Sequence, residues 1–336
     1  MPTGHRPLTT DHFPSAPCRL LIDSPAAGAW NMAVDEVLLE EAADNGRLCW
    51  RFYGWREPTL SLGYFQVYDD RWRHAASKEC PSVRRPSGGG AIVHDIELTY
   101  SFAFPEKSGL TRRRHDLYEA VHRTLIEVLR DWAISAQLCG PVPPRAIDTT
   151  PQDMQPVKPC FPPAAWCGER RRLFDPLDAT GQESEIGPCS AGFRGSPMSN
   201  RTDWAVEVAE KDSKSLPFLC FQRRSPGDVL VGPVKIAGSA QRRLRGAVLQ
   251  HGSVLLGRSL AAPELAGLRE VTGVRLRPAE LAAAWACRLA EQWRWSWYEE
   301  SFSATERLRA ESLLAGKYAD DRWTRHRGRP LPADLL

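Results

Sequence analysis

Three consecutive glycines dominate the stretch Arg84-Arg85-Pro86-Ser87-Gly88-Gly89-Gly90-Ala91-Ile92-Val93-His94-Asp95. Each glycine costs conformational entropy on folding, so a run of three is kept where backbone must approach something closely or take a positive φ. Val83 leads into the run. Beyond it, the alternating Leu-Thr-Tyr-Ser-Phe-Ala-Phe of Glu97 to Phe104 reads as a strand. The loop therefore joins strand to strand. Dinucleotide and P-loop phosphate sites need a helix directly after the glycines, so this context argues against both. The arginine pair suits a polar or anionic neighbour; a glycine-rich hairpin with solvated arginines is the alternative.

Bulk properties narrow the classes. A chain of 336 residues holds one large domain or two small ones. With 42% hydrophobic and 25% charged residues it is a globular composition. No run reaches the ~18 apolar residues of a membrane span, and Met1 to Pro17 has no apolar stretch after a basic start, so no secretory signal is expected and the cytoplasm is the expected compartment. A net charge of +3 is too mild to imply nucleic acid, though it allows a local basic face. Nine cysteines without a CxxC argue against disulfides. Cys139, Cys160, Cys167 and Cys189 are the one group to weigh as metal ligands, but they lack the short knuckles of structural zinc sites, and no metal is expected.

Taken in order, the chain predicts a loose tail over 1–17 and a strand at Arg19 to Ile22. A helix over Gly28 to Asn45 buries Met32, Val34, Leu38 and Leu39 on one face. Asp35 and Glu36 on it read as solvated helix charges sooner than as catalytic carboxylates. Strands follow at Leu48 to Tyr53 and after the turn at Glu57-Pro58, with helix over Asp69 to Ser77. One long helix is predicted from Arg113 to Leu138; His115 and His122 within it read as structural. From Gly140 to about Pro217 periodicity weakens and prolines cluster, predicting a largely irregular insertion at about 141–215. Order returns at Phe218, with strands around Asp228 and from Gly246 to Leu256. Helices are expected at Ala261 to Leu268, Pro278 to Trp293 and Ser303 to Tyr318.

A second stretch is as distinctive as the glycines: Val234-Lys235-Ile236-Ala237-Gly238-Ser239-Ala240-Gln241-Arg242-Arg243, followed by Leu249-Gln250-His251-Gly252-Ser253-Val254. Together the two stretches resemble the lipoate-protein ligase, octanoyltransferase and biotin-ligase superfamily. The likeness runs from near Trp30 to about Trp323 and includes Asn31 to Glu36, Leu62 to Gln66 and Lys317 to Trp323. It implies an α+β fold with a mixed, largely antiparallel sheet flanked by helices. It also implies a single catalytic domain over 18–330, broken by the insertion, with a short tail at 331–336.

The resemblance separates activities as well. Ligases that adenylate free lipoate tend to carry a Gly-Arg-Asn-Asp-type stretch. This chain instead has Cys220-Phe221, Ser225-Pro226, Asp228, Gly232 and Lys235, which resembles the cysteine-dependent octanoyltransferases. In isolation Cys220 reads as a small buried hydrophobe beside Phe218 and Leu219; the resemblance makes it a nucleophile and Lys235 its catalytic partner. Thioester exchange onto cysteine is near energy-neutral and amide formation is downhill, so the implied route needs no cofactor, neither ATP nor magnesium. Implied partners are octanoyl-acyl carrier protein as donor and, as acceptor, a lysine of a lipoyl-domain protein such as the glycine cleavage H protein or an E2 subunit. Implied substrate-binding residues are Arg84, Arg85, Gly88, Gly89, Gly90, His94, Gln66, Gly238, Ser239, Ala240 and His251, with Ile92, Leu62, Tyr64 and Ala237 along an acyl tunnel. Arg84 and Arg85 would face phosphopantetheine or the carrier. His94 and His251 both stand as general-base candidates. The alternatives are an ATP-dependent lipoate-protein ligase, an octanoyl amidotransferase between lipoyl-domain proteins, and a non-catalytic acyl-binding module.

Overall fold

In the computed structural model, the structure describes residues 17–108, 114–140, 217–293 and 295–328. The expected tails and the insertion at 141–215 lie, Pro17 aside, outside them, as do Cys160, Cys167 and Cys189. The chain opens with β1 (Cys18–Ile22), α1 (Gly28–Asn45), β2 (Cys49–Tyr53), β3 (Thr59–Leu62), β4 (Ser82–Arg84), β5 (Ile92–His94) and β6 (Glu97–Pro105). Then come α2 (Arg114–Asp131), β7 (Ala136–Leu138), β8 (Val229–Val231), β9 (Val234–Leu244) and β10 (Ala247–Leu255). The last elements are α3 (Leu268–Thr272), α4 (Pro278–Trp293), β11 (Trp297–Glu299), α5 (Ala304–Leu313) and α6 (Asp321–His326).

Eight strands form one sheet in the order β11-β1-β2-β6-β10-β9-β8-β7. β1 runs parallel to both its neighbours, and every other pairing is antiparallel. The sheet is thus the mixed, largely antiparallel one expected. A second sheet, β4-β3-β5, was not expected as a separate unit, and it is the one that carries the glycine loop.

Alternation along β2 and β6 sorts the core into two layers. Trp50, Phe52, Tyr100, Phe102 and Phe104 face α2 and α4, where Val121, Leu125, Trp285 and Leu289 are fully buried. Trp50 stacks on Tyr100 at 5.2 Å and meets Trp285 edge-on at 5.9 Å. The opposite face presents Tyr53, Ala103 and Leu249 to Met32, Val34 and Leu38 of α1.

Three expected helices are corrected. The long helix ends at Asp131, because Ala133 takes a left-handed φ of 57° and turns the chain so that Ala136–Leu138 pairs with β8. Residues 261–267 make turns, and the helix begins only at Leu268 behind the Gly267 cap. Asp69 to Ser77 holds two 3-10 turns instead of an α-helix. Trp285 also donates its indole N–H to Thr124 at 2.8 Å. Trp285→Ala should therefore cost about 3–5 kcal/mol in urea unfolding; a loss below about 1 kcal/mol would show that the α2–α4 layer repacks freely.

Candidate active site

Two backbone strips are drawn together at the glycine loop. The Ala91 N–H donates to the Phe218 carbonyl at 3.1 Å, and the Cys220 N–H to the Ala91 carbonyl at 2.7 Å, a short parallel bridge. A Cβ on Gly90 would sit 3.1 Å from the Cys220 Cα, and one on Gly63 would lie 2.0 Å from the Gly89 carbonyl oxygen. Gly89 has a φ of 99°. Close approach explains Gly90 and positive φ explains Gly89, while Gly88 meets only the Phe65 ring at ordinary contact distance. Cys220 opens a 3-10 turn on this strip and is half-buried.

Lys235 on β9 reaches the same turn. Its ammonium lies 3.7 Å from Cys220 Sγ, 3.4 Å from the Cys220 carbonyl and 2.8 Å from Asp228 Oδ2. Lys235 is 5% exposed and Asp228 1%. Tyr118 of α2 donates to Asp228 Oδ1 at 2.7 Å, and the Ser225 N–H to Oδ2 at 2.7 Å. The absence of a side chain at Gly238 makes room: a Cβ there would fall 2.7 Å from Lys235 Cε and 2.9 Å from Nζ.

A pocket with about 480 Å³ of empty space, part of it open to solvent, begins at Cys220. Of the residues expected at the site, Arg85, Gly88, Gly89, His94, Cys220, Gly238, Ser239, Ala240 and His251 line it. Ile92 joins Met32, Trp55 and Phe221 in the apolar wall. Leu62 and Ala237 are packed in the core instead, and Tyr64 sits against Trp323. Gln66 spans Gly63 N–H and the Phe218 carbonyl with its amide, tying the loop to the cysteine strip.

The arginine pair is corrected most. Arg84 and Arg85 are 1% and 3% exposed rather than solvent-facing, and of the two only Arg85 lines the pocket. Arg84 donates to the carbonyls of Thr324, Gly63 and Gln66; Arg85 donates to those of Ser61 and Gly90. Buried carbonyls need donors, and two planar guanidinium groups supply them to the turns around the glycines. Burial, with Arg327 beside it, pulls Arg84 down to about 10, and burial pulls Arg85 to about 10; both remain cationic at neutral pH.

Each pocket histidine lies between a serine and a carboxylate. His94 Nδ1 meets Glu97 Oε1 at 2.6 Å and its Nε2 meets Ser61 Oγ at 2.6 Å, with the ring stacked 3.8 Å from Trp55. Burial lowers His94 and keeps it neutral. His251 Nε2 meets Ser87 Oγ at 2.5 Å and its Nδ1 meets Asp35 Oδ2 at 3.3 Å. Asp35 is not a solvated helix charge: it is fully buried and accepts from Arg51, Tyr53 and Ser101. Burial alone would raise its carboxyl, but the His251 hydrogen bond and the Arg51 charge hold it below the usual range. His122 is structural. Its Nδ1–H donates to the Gly227 carbonyl and its Nε2 accepts from Ser239, and burial pushes it down to about 4.

Sequence reasoning missed Asp35, Ser87, Glu97 and Tyr118 as parts of this site, and used Asp228 only as part of a pattern. Asp35 and Tyr118 meet their partners His251 and Asp228 from 216 and 110 residues away, but Glu97 lies three residues after His94 and Ser87 lies within the glycine stretch, so those two were within reach of a local reading. Among the described residues no group of three or more His, Cys, Asp or Glu could hold a metal ion, and no helix is long and apolar enough to cross a membrane.

The lipoyl protein ligase A/B catalytic domain model matches residues 27–149, and the biotin/lipoate A/B protein ligase family model matches 203–259. The octanoyltransferase LipM of Kyrpidia tusciae is 27% identical over 91% of this chain and 97% of its own length. That of Carboxydothermus hydrogenoformans is 39% identical over 33% of this chain and 43% of its own. Among solved structures, the bi-partite lipoate protein ligase of Thermoplasma acidophilum superposes with a TM-score of 0.58 at 16% identity, covering 94% of this chain and 98% of that one. At that identity the likeness concerns the fold.

Gly238→Ala should displace Lys235 from the sulphur and slow alkylation of Cys220 by iodoacetamide at pH 7 by about ten-fold, since the thiolate is the reacting form. An unchanged rate would show that Lys235 does not act on Cys220.

Proposed function

Since the chain belongs to the biotin/lipoate A/B protein ligase family and is an octanoyltransferase of that superfamily, we propose that it works through an acyl thioester on Cys220. The donor in this reading is octanoyl-acyl carrier protein. The acceptor is a lysine of a lipoyl-domain protein, such as the glycine cleavage H protein or an E2 subunit. The observation that carries the reading is the Lys235 ammonium 3.7 Å from the Sγ of a half-buried Cys220 that lines a pocket with an apolar wall.

The chemistry follows from the parts. Cys220 attacks the donor thioester; the new C–S bond forms as the old one breaks and the carrier leaves as its thiol. The reaction exchanges one thioester for another and needs no ATP. Lys235 offers positive charge to the sulphur before attack and a donor to the carbonyl oxygen as negative charge builds there. The acyl chain lies against Met32, Trp55, Ile92 and Phe221. At about 0.8 kcal/mol per buried CH₂, this wall favours a medium-length chain over acetyl by several kcal/mol. The acceptor amine then attacks the acyl-cysteine and gives the amide.

Intact-protein mass after mixing with octanoyl-acyl carrier protein, without ATP, tests the reading. Wild type should gain one octanoyl group that hydroxylamine removes, and Cys220→Ser should gain none. Transfer only of free lipoate or octanoate, and only with ATP and magnesium, would make the chain a ligase. Acylation by an octanoylated lipoyl-domain protein but not by the carrier would make it an amidotransferase.

A further inference from the structure

The groups facing Lys235 are few. Cys220 meets it from the cysteine strip and Asp228 from the turn before β8, with the Phe221 ring 5.3 Å away. Behind Asp228, α2 contributes Tyr118, which is bonded to it, and His122, which burial keeps neutral. Arg85 is close enough to Cys220 to feel its charge, and His251 of β10 lines the pocket. Among the described residues, Asp228 is the carboxylate in contact with the ammonium.

The charge balance of this group changes during the reaction. Before acylation the ammonium sits between the Asp228 carboxylate and the Cys220 sulphur, the atom that carries negative charge when it attacks. Once the sulphur carries an acyl group it is neutral. An ammonium out of water without a counter-charge gives up its proton, and an amine cannot donate charge to a developing oxyanion. Asp228 is built to remain in place through that change. Tyr118 holds Oδ1, the Ser225 N–H holds Oδ2, and the Lys235 ammonium sits on Oδ2. With one N–H on Asp228, the other two lie toward the Cys220 carbonyl and Sγ.

We propose that Asp228 is the positioning residue of the second half-reaction, keeping Lys235 cationic and aimed at the acyl carbonyl after Cys220 has become a neutral thioester. This rests on the acyl-Cys220 reading above. In that step the acceptor nitrogen bonds to the carbonyl carbon, the C–S bond breaks, and its electron pair leaves on Sγ. The amine's proton passes to a base or to water. Lys235 loses no proton: it donates first to the carbonyl oxygen and then to the departing thiolate.

The test separates the two half-reactions. Octanoyl-enzyme of wild type and Asp228→Asn is isolated, mixed with a lipoyl-domain acceptor, and followed by intact mass from pH 6 to 10. The acceptor lysine's own titration is common to both and cancels in the ratio of rates. Asp228→Asn should lose deacylation at high pH first, its basic limb lying at least one pH unit below that of wild type, so that at pH 8 it is slower by ten-fold or more. Its acylation by octanoyl-acyl carrier protein should change less. Equal losses in both halves with no shift of the limb would mean that Asp228 only supports the fold, and would overturn the proposal. Should Asp228→Asn fail to fold, wild-type octanoyl-enzyme with ¹³Cε-labelled lysine answers the same question. An ammonium shift for Lys235 at pH 8 supports the role, and an amine shift overturns it. No adduct on wild type at all would overturn the acyl-Cys220 reading as well, an outcome distinct from an adduct that forms while the limb stays put.

Discussion

A carbonyl oxygen pressed against a bare Cα holds this site together. Gly63 and Gly89 approach so closely that any side chain at 63 would overlap the Gly89 oxygen, and the next residue, Gly90, lies against the Cys220 backbone. The small sheet, the glycine loop and the cysteine strip are therefore one object. Gln66 and Arg85 bind across it by hydrogen bonds to main-chain carbonyls, and Ala91 closes it on the strip. The Cys220 backbone is fixed from both sides, by the Ala91 bridge and by Gly90, so the sulphur has only its own side-chain rotation left to set. Such pre-organisation is what the proposed transfer through one sulphur would draw on.

That packing brings a second constraint, because it buries many polar groups. Arg84, Arg85, Arg51, Asp35, Asp228 and Lys235 are all within 5% of full burial. Unpaired, any of them would cost several kcal/mol. The structure pairs them instead: guanidinium groups to carbonyls around the loop, Arg51 to Asp35 and Asp23, Lys235 to Asp228. Some of these pairs are scaffold and some face chemistry, and burial alone does not distinguish them. Arg84 and Lys235 are about equally hidden, yet only Lys235 points at a sulphur.

This is also why the sequence was legible in some places and opaque in others. Gly89 and Gly90 could be read because a glycine run reports on backbone geometry directly, whereas Cys220 and Lys235 stood out only through the resemblance of the stretches around them. The bounds of α1 were read correctly, but not its burial: Asn31 to Asp35 are buried in succession, so the helix is covered on more than the one face expected. The burial of the two arginines was not legible because charge in a sequence carries no sign of it; their partners are carbonyls, which every residue has. Asp35 was set aside as a solvated charge for the same reason, since Arg51, Ser101 and His251 reach it from 16, 66 and 216 residues away. The run to Leu138 looked helical because Ala136 and Leu138 suit a helix. Pairing with β8, and the turn at Ala133, overrode that local preference.

The two histidines, indistinguishable as sequence, differ once their hydrogen-bond chains are followed to the end. Glu97 can only accept when ionised, so His94 Nδ1 carries the proton and Nε2 accepts from Ser61. Ser61 in turn accepts from Arg85, which has no acceptor capacity at all. That chain runs from the Arg85 guanidinium through Ser61 and His94 to Glu97. Asp35 likewise directs the Nδ1 proton of His251. On the other side, however, the chain ends at Ser87, whose hydroxyl donates or accepts by rotation alone. The difference lies behind the serines: Ser61 is tied to the buried Arg85 guanidinium, which also holds the Gly90 carbonyl, whereas Ser87 stands in the glycine loop itself.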